Sequence, residues 1–376
     1  MTPFNQLSLK GIPNISALEY LRHRIKDWRL HRILGSLGTR EPYSGIPLLA
    51  AMWDLMCRKG IWYPKEGMQS FCDRLVKAIT ESQGISQIRL RTEVSKIRVE
   101  KGKVLGVTLK DGTEIDSGSV ISNADYKNTF MHLIEPEVIP PKWYHAVSTA
   151  QQTGSIFQVC LGVDTGRADL SAFEEASRLI YRRNKDKVEE MNWDETEIDP
   201  ELFAKQELEV SLWGKNDERL SPKGGAVIVI RTEAEYSHFS RFRSISLRKS
   251  PKYQEYKNRL ARALIHEIQH LIPGLEKAIL VMDVASPITF EDQGGRSRGA
   301  VAGWSWDYED FQDEKPNELI RTPIKGLYIA GYQAFSALFM GGVPTAMESG
   351  RRAAREVLDG ADPIEEIMIP VINHKS

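Results

Sequence analysis

Residues 326–354, GLYIAGYQAFSALFMGGVPTAMESGRRAA, constrain the fold more strongly than any other part of the chain. The apolar run at 327–330 ends at Gly331, as a buried strand does before a turn. After a loop, two glycines at 341–342 precede Pro344, which suits a first helical turn because its missing N–H costs nothing there. The pattern predicts a strand–loop–helix unit whose glycine backbone approaches either a flat ligand or a crossing chain segment.

Residues 61–125 predict a helix followed by antiparallel strands. The run GIWYPKEGMQSFCDRLVKAITESQG has helical apolar spacing and stops at Gly84. The runs QIRLRTEVSKIRVE, KVLGVTLK and SVISNAD are rich in β-branched residues, and Lys-Gly and Asp-Gly turns separate them. Glycine supplies the positive φ that such hairpin turns need. We therefore expect one helix, one hairpin and one returning strand.

The middle of the chain predicts a further β-sheet with helices. Four runs have the composition of strands: SIFQVCLGVD, QELEVSLWG, GGAVIVIRTEA and KAILVMDVAS. Residues 251–272 have helical periodicity and stop before Pro273 and Gly274. With the C-terminal strand–loop–helix unit, these elements predict the α/β class with a mixed β-sheet in the middle of the chain.

The first sixty residues predict helix with a basic surface. Apolar residues recur there at helical spacing: Leu18, Leu21, Ile25 and Trp28. Arginine and lysine occupy most of the remaining positions between 22 and 32. Two interpretations stay open, a solvated basic face and a surface that contacts anionic lipid.

Charge and composition exclude several classes of protein. The chain has 50 basic and 51 acidic residues, so no overall basic field attracts it to nucleic acid. The longest apolar run, at 46–56, is interrupted by Asp54 and is shorter than the roughly 20 residues of a membrane span. The first residues lack the pattern of a signal peptide. Three widely spaced cysteines, without a C-x-x-C pair, predict buried thiols in a reducing compartment, and hence a cytoplasmic location.

The sequence HEIQH at 266–270 matches the H-E-x-x-H pattern of zinc hydrolases. The pattern is short, and Pro273 and Gly274 end the predicted helix directly after it. Glu291, the imaginable third ligand, follows an intervening strand. We predict no metal site here and keep a zinc peptidase as the least favoured alternative.

Four segments, in order along the chain, resemble the phytoene desaturase, carotenoid isomerase and retinol saturase family of FAD-dependent, amine-oxidase-like flavoproteins. They are GIWYPKEGMQSFCDRL, RTEVSKIRVEKGKVLGVTLKDGTEIDSGSVISNAD, SPITFEDQGGRSRGAVAGWSWD and GLYIAGY with GGVPTAMESGRRAA. Together they cover most of residues 60–360. The resemblance implies an FAD-binding Rossmann-like domain at 61–130 and 320–362. It also implies a substrate-binding domain, with a mixed β-sheet and helices, at 1–60 and 131–319.

The resemblance also assigns expected roles to individual residues. The backbone of Val94 would meet the adenine, and Gly331 and Tyr332 would lie beside the ribityl chain and the pyrophosphate. The residues expected at the pyrimidine side of the flavin ring are Gly341, Gly342, Val343, Pro344 and Thr345. The residues expected to contact an apolar substrate are Trp304, Phe339 and Met340, and Trp304 could equally be a core residue. No catalytic residue is named.

The chain departs from the family in four places. The apolar loop AFSALFM lacks the His-Pro-Gly-Gly form of some polyene desaturases. Glu66 replaces a usual glycine, and Tyr332 replaces a frequent aspartate, so no carboxylate is available at that position. We find no strand–GxGxxG–helix unit, since the glycine-rich stretches at 35–38, 223–225 and 293–299 have the wrong spacing. The FAD-binding domain is therefore expected to be incomplete. We expect FAD to bind weakly or not at all to this chain alone, and a second chain could supply the missing unit.

The resemblance implies an oxidoreductase that acts on an apolar polyene or isoprenoid small molecule. Hydride transfer to or from flavin N5 would give desaturation, saturation or isomerisation. Two alternatives stay open: a non-catalytic remnant or interaction protein without flavin, and one chain of a split flavoenzyme.

Overall fold

The computed structural model describes residues 16–27, 30–31, 34, 46–59, 63–64, 66–81, 86–183, 191–214, 218–243, 250–304, 319–335 and 342–360. The helices are α1 (Ala17–Arg24), α2 (Ile46–Trp53), α3 (Gly67–Thr80), α4 (Tyr126–His132), α5 (Pro141–Thr149), α6 (Pro200–Ala204), α7 (Tyr236–Ser240), α8 (Pro251–Ile268), α9 (Leu275–Ala278), α10 (Pro287–Gly294) and α11 (Val343–Asp359). The strands are β1 (Val94–Glu100), β2 (Lys103–Leu109), β3 (Glu114–Asp116), β4 (Val120–Ser122), β5 (Ser155–Asp164), β6 (Arg178–Tyr181), β7 (Leu208–Trp213), β8 (Gly225–Ala234), β9 (Ile279–Ala285) and β10 (Leu327–Ile329).

The described strands form three sheets. The first is the antiparallel sheet β1-β2-β3. The second is the parallel pair β4 and β10. The third has the order β6-β7-β8-β5-β9, and each of its neighbouring pairs is antiparallel.

The β1–β2 hairpin follows from its turn residues. Glu100 pairs with Lys103, so the connection contains two residues. Both of these, Lys101 and Gly102, have positive φ (50° and 73°), which matches the twist of the flanking strands. The predicted hairpin is confirmed, although the strand begins at Val94 and residues 86–93 are not strand.

The central strand of the large sheet, β5, organises one of the two main cores. Its residues alternate between buried and half-buried along all ten positions. Phe157, Val159 and Leu161 point inward and pack with the buried face of α8, including Leu260 and Leu264. The four predicted strands of this region and the predicted helix are confirmed, with the helix ending at Ile268.

A second core surrounds the short strands β4 and β10. It contains buried residues of β1, α4, α5 and β10, such as Ile97, Phe130, Trp143 and Ile329. The first core contains residues between 157 and 288 only. The proposed domain boundaries stay a prediction.

The N-terminal part differs from the predicted helical stretch. The backbone of Ile25 is extended (φ −125°, ψ 127°), and α1 ends there. The four apolar residues predicted to share one helical face therefore do not all lie on α1. Trp28, the last of them, lies outside the described residues. Exposed Arg22 and Arg24 lie in the last turn of α1, and contact of this surface with lipid stays a prediction.

The prediction that the cysteines are buried is wrong for two of them. Cys57 and Cys72 are exposed, and Cys160 is half-buried in β5. Within the described ranges, no helix is both long and apolar enough to cross a lipid bilayer.

His238 is a fully buried histidine of the first core. Its Nε2 lies 2.8 Å from the Tyr256 hydroxyl, and its Nδ1 lies 3.1 Å from the carbonyl oxygen of Trp193. The Tyr256 oxygen also accepts the N–H of Ile198, and Nη2 of the Arg241 guanidinium lies 2.7 Å from Nδ1. The positive charge of Arg241 disfavours a second positive charge on the imidazole. Burial lowers the pKa of His238 below its ordinary value of 6.5.

We expect this histidine to make folding sensitive to acid. Below pH 6.5 the unfolded chain protonates at this position while the folded chain resists protonation, so the free energy of unfolding falls as pH falls. The slope contributed by one such group approaches about 1.4 kcal/mol per pH unit. Urea unfolding measured between pH 5 and pH 7.5 gives the free energy of unfolding at each pH. As pH falls, this free energy should decrease less in His238→Gln than in the wild type. An equal pH dependence in His238→Gln and in the wild type would contradict the assignment.

Candidate functional site

The parallel pair β4 and β10 places two loops at one edge. Val120, Ile121 and Ser122 pair with Leu327, Tyr328 and Ile329 in the same direction. The residues that follow the two strands, at 123–125 and 330–333, therefore meet at the carboxyl ends. Ligands of open α/β sheets bind at such ends, because the chain leaves both strands there and opens a crevice.

A cavity of about 590 Å³ occupies this position. It is lined by Glu93, Val94, Asn123, Ala124, Asp125, Asn128, His132, Leu133, Gln293, Gly294, Gly295, Ala330, Gly331, Tyr332 and Gln333. The structure thus brings together three residues singled out in the sequence, Val94, Gly331 and Tyr332, although Val94 and Gly331 are far apart along the chain. The volume is within the range of small-molecule sites.

Gly331 needs its glycine because of both conformation and space. Its φ is 105°, and a Cβ built there would lie 2.5 Å from Oδ1 of Asn123. Its N–H donates to Oγ of Ser349 at 2.7 Å, and that hydroxyl donates to the carbonyl of Ala346 at 2.7 Å. These bonds hold α11 against the end of β10.

The start of α11 lies near the cavity but does not line it. Gly342 has φ 105°, and a Cβ there would meet nothing within 4 Å. Val343 and Pro344 are exposed, whereas Thr345 is buried. From the helical rise, Gly342 lies about 10 Å along the axis from Ser349. Gly341, Phe339 and Met340 lie outside the described residues, and the expected contacts of 342–345 with a flavin ring stay a prediction.

Asp125 is the best-connected polar residue of the cavity. Its Oδ1 accepts from the Asn128 N–H at 3.1 Å and from the Ser297 hydroxyl at 2.5 Å. Its Oδ2 accepts from Nε2 of Gln152 at 3.1 Å and from the Ser297 N–H at 3.2 Å. In addition, Nδ2 of Asn128 donates to the Gly295 carbonyl at 2.6 Å. We call these five residues the Asp125 network.

The Asp125 network fixes the wall formed by residues 293–297 against the loop and helix that follow β4. Four neutral donors compensate the buried carboxylate, which would otherwise be costly. None of these residues was singled out from the sequence. The SNAD stretch gave the only hint, because Asp before a helix is a common N-cap.

Tyr332 and Arg296 stack at the margin of the cavity. The Arg296 Cζ lies 5.5 Å from the centroid of the Tyr332 ring, a cation–π distance. Burial raises the pKa of Tyr332, and the positive charge of Arg296 opposes that rise while Asp125 adds to it. The tyrosine hydroxyl is therefore protonated at neutral pH and can donate a hydrogen bond.

Trp304 is a buried residue behind the cavity wall. Its indole N–H donates to the Gln333 carbonyl at 3.0 Å, and its ring meets the Tyr126 ring edge-on at 5.4 Å. Oε1 of Gln333 accepts the Tyr126 N–H at 2.8 Å. Within the described part of the chain, Nε2 of Gln333 and the Tyr126 hydroxyl are buried without a hydrogen-bond partner. Trp304 is absent from the residues that line the cavity, and its substrate contact stays a prediction.

Polar residues of the HEIQH stretch bond to other protein side chains, and Glu267 is buried. Because α8 ends at Ile268, His270 lies beyond the helix. Glu267 accepts from the Tyr181 hydroxyl at 2.9 Å and pairs with Arg183 at 2.7 Å. Among the residues that the structure describes, no three His, Cys, Asp or Glu side chains are grouped as a metal ion requires.

Comparison with known proteins identifies the family. The model of the flavin-containing amine oxidoreductases matches residues 4–224, more than half of the 376 residues. The chain belongs to this family. The match confirms the wider group that the four sequence segments indicated.

The curated relatives share about a quarter of their residues with the chain. All-trans-retinol 13,14-reductase of Danio rerio is 24% identical over 77% of this chain and 49% of its own length. Phytoene desaturase (neurosporene-forming) of Rhodobacter capsulatus is 24% identical over 86% and 58%. Prolycopene isomerase of Daucus carota is 26% identical over 73% and 41%. The chain thus spans about half the length of the curated relatives it matches.

Solved structures support the fold. An oxidoreductase from Methanosarcina mazei matches with a TM-score of 0.60 and 17% identity, over 91% of this chain and 69% of that one. A putrescine oxidase variant matches with a TM-score of 0.51 and 14% identity, over 93% and 68%. At this identity the likeness concerns the fold alone. It confirms the predicted α/β class.

The residues around the cavity fit part of a flavin dinucleotide. The cavity lies at the carboxyl ends of two parallel strands, where a nucleotide is expected. Gly295 and Gly342 have open space where a Cβ would be, so a ligand can approach their backbone. The unpartnered Nε2 of Gln333 is a further donor next to the cavity.

We expect Gly331→Ala to destabilise the protein more than Gly342→Ala. Both substitutions place a side chain at a φ of 105°, but only the first also forces Cβ against Asn123. The extra overlap should cost about 1–3 kcal/mol. Urea unfolding followed by tryptophan fluorescence measures the difference between the two variants. Equal stabilities would show that the contact between Gly331 and Asn123 is not a constraint on the fold.

Proposed function

We propose that the chain is part of an FAD-dependent oxidoreductase that acts on a long apolar polyene or isoprenoid. Three relatives support the substrate class through their names: a retinol reductase, a phytoene desaturase and a prolycopene isomerase. The observation that carries the proposal is the cavity in which Val94, Gly331 and Tyr332 meet.

Each part of the cavity has a proposed role. The backbone at Val94 contacts the adenine, and the loop with Gly331 and Tyr332 contacts the ribityl chain and the pyrophosphate. The protonated Tyr332 hydroxyl donates a hydrogen bond where an aspartate of the family would accept one. The Asp125 network holds the opposite wall in place.

The flavin ring lies at the start of α11 in this proposal. Gly342 leaves space for the ring, and the positive end of the α11 helix dipole stabilises negative charge on it. Bound FAD supplies the hydride acceptor or donor at N5. The chain contributes binding, orientation and exclusion of water, and no side chain is assigned as acid or base.

The edge of β4 that faces away from β10 can hydrogen-bond to an additional β-strand. In the described part of the chain, β4 pairs with β10 alone. The Val120 N–H and the Ser122 carbonyl bond toward β10, so the backbone groups of Ile121 point to the other side. An unpaired strand edge is a template for another strand.

Helix α3 also exposes an apolar surface. Leu75, Val76 and Ile79 are 43–46% exposed, although α3 is amphipathic. We propose that a strand–GxGxxG–helix unit completes the sheet at β4, supplied by the same polypeptide or by a second chain. Without this unit FAD binds weakly, because its diphosphate lacks the N–H donors of the glycine loop.

The visible absorption spectrum tests this dependence. The purified chain should be colourless, and its affinity for added FAD should be about 10- to 100-fold lower for each missing charged hydrogen bond. Co-expression with a strand–GxGxxG–helix segment from a relative should give a yellow complex with one FAD per chain. Ile121→Pro removes the N–H at the free edge and should abolish the complex, because proline cannot donate to the new strand.

The outcomes separate the alternatives. Tightly bound FAD in the chain alone would contradict the need for the additional unit. An absence of flavin even with the unit would contradict the oxidoreductase and favour an interaction protein without flavin. Leu280→Pro in the edge strand β9, which belongs to the large sheet, is the control and should leave flavin binding unchanged.

A further inference from the structure

Arg296 is a half-buried arginine without a carboxylate partner in the described ranges. Other half-buried arginines have one: Arg182 pairs with Glu207 at 3.1 Å, and Arg243 pairs with Glu291 at 2.6 Å. The Nη1 of Arg296 donates instead to two backbone carbonyls, those of Ala300 at 3.5 Å and Val301 at 3.2 Å. A positive charge that is partly removed from water is stabilised by a neighbouring anion. Among the described residues, no carboxylate forms an ion pair with the Arg296 guanidinium.

The guanidinium lies between two residues that line the cavity. On one side it stacks on the Tyr332 ring. On the other side, a Cβ at Gly294 would lie 3.3 Å from Cγ and 3.4 Å from Nε of Arg296. Gly294 therefore leaves space for the arginine stem. Within the described residues, Nε and Nη2 have no hydrogen-bond acceptor, so both remain free to donate.

The carboxylates of the cavity are occupied by other donors. Glu93 pairs with Lys110 at 2.9 Å. Asp125 accepts from Asn128, Gln152 and Ser297, which are all neutral, and no ion pair joins it to Arg296. The Arg296 charge is thus available to a ligand at the margin of the cavity.

We propose that Arg296 binds a phosphate group of the ligand in this cavity. The assignment rests on the proposed function, in which that group belongs to the diphosphate of FAD. A guanidinium presents parallel N–H donors that match two phosphate oxygens, and stacking on Tyr332 holds its plane in one orientation. Arg296 would then compensate part of the negative charge of the diphosphate. A glycine-rich phosphate loop, which usually does this, is not found in the described part of the chain.

Binding of three probes by the full 376-residue chain tests the assignment. FAD and ADP carry a diphosphate, whereas riboflavin has the flavin ring without phosphate. Isothermal titration gives the three affinities for the wild type, Arg296→Gln and Arg296→Lys. We expect Arg296→Gln to weaken FAD and ADP about 10- to 100-fold and to change riboflavin by less than about threefold. Lysine keeps the charge without the fork, so the loss in Arg296→Lys should be intermediate.

Arg298→Gln is the matched control. It removes the same charge two positions away, at an exposed arginine that stacks on Tyr236 at 5.8 Å, and should leave the three affinities unchanged. If Arg296 acted only by holding the carbonyls of residues 300 and 301, Arg296→Gln would weaken riboflavin as much as FAD. That result would overturn the proposal, since it would show a structural role.

The remaining outcomes distinguish this proposal from the proposed function. Unchanged FAD and ADP affinities in Arg296→Gln would overturn the phosphate site and leave the flavoprotein assignment standing. Loss of ADP binding in this variant, with no riboflavin binding by the wild type, would support the phosphate site and contradict the flavoprotein. Binding of none of the three probes by the wild type, alone and when co-expressed with the strand–GxGxxG–helix unit, would overturn both.

Discussion

Three residues of β4 pair in parallel with three residues of β10, and this contact joins parts of the chain that lie about two hundred positions apart. A three-residue strand pair is not stable by itself, because joining β4 to β10 closes a long loop and costs conformational entropy. Other contacts must stabilise the pair. Gly331 bonds to Ser349 of α11, and the Tyr126 N–H bonds to Gln333. These contacts fix the two strand ends side by side, and the cavity exists only where they meet.

The opposite wall of the cavity depends on a buried carboxylate. Asp125 receives four hydrogen bonds from neutral donors, and Asn128 adds a bond to Gly295. The network connects the loop after β4 to the turn after α10, a helix whose Ile288 belongs to the other core. A ligand in the cavity would therefore contact segments from both cores, and its binding would be sensitive to how these segments are held.

Local patterns were sufficient to predict most strands, but not the contacts that build the site. The Lys101-Gly102 turn and the alternation of β5 are visible in the sequence because they depend on neighbouring residues. The bond between Asp125 and Ser297 spans 172 positions and has no local signature. Helix α10 begins with Ser286 and Pro287, a common start of a helix, and the Thr289 hydroxyl accepts the Ser286 N–H at 3.2 Å. The apolar spacing of the N-terminal region predicted a helix that continues past Ile25. The helix ends before this residue, because the Ile25 backbone is extended.

Hydrogen exchange of the chain with and without FAD tests the central claim most directly, because it locates the ligand without assuming a reaction. A flavin dinucleotide in the cavity should slow amide exchange at 93–94, 123–128 and 330–333, three segments that only the fold brings together. The central strand β5 should be unaffected. Protection confined to other segments, or none at saturating FAD, would contradict a flavin site at the ends of β4 and β10.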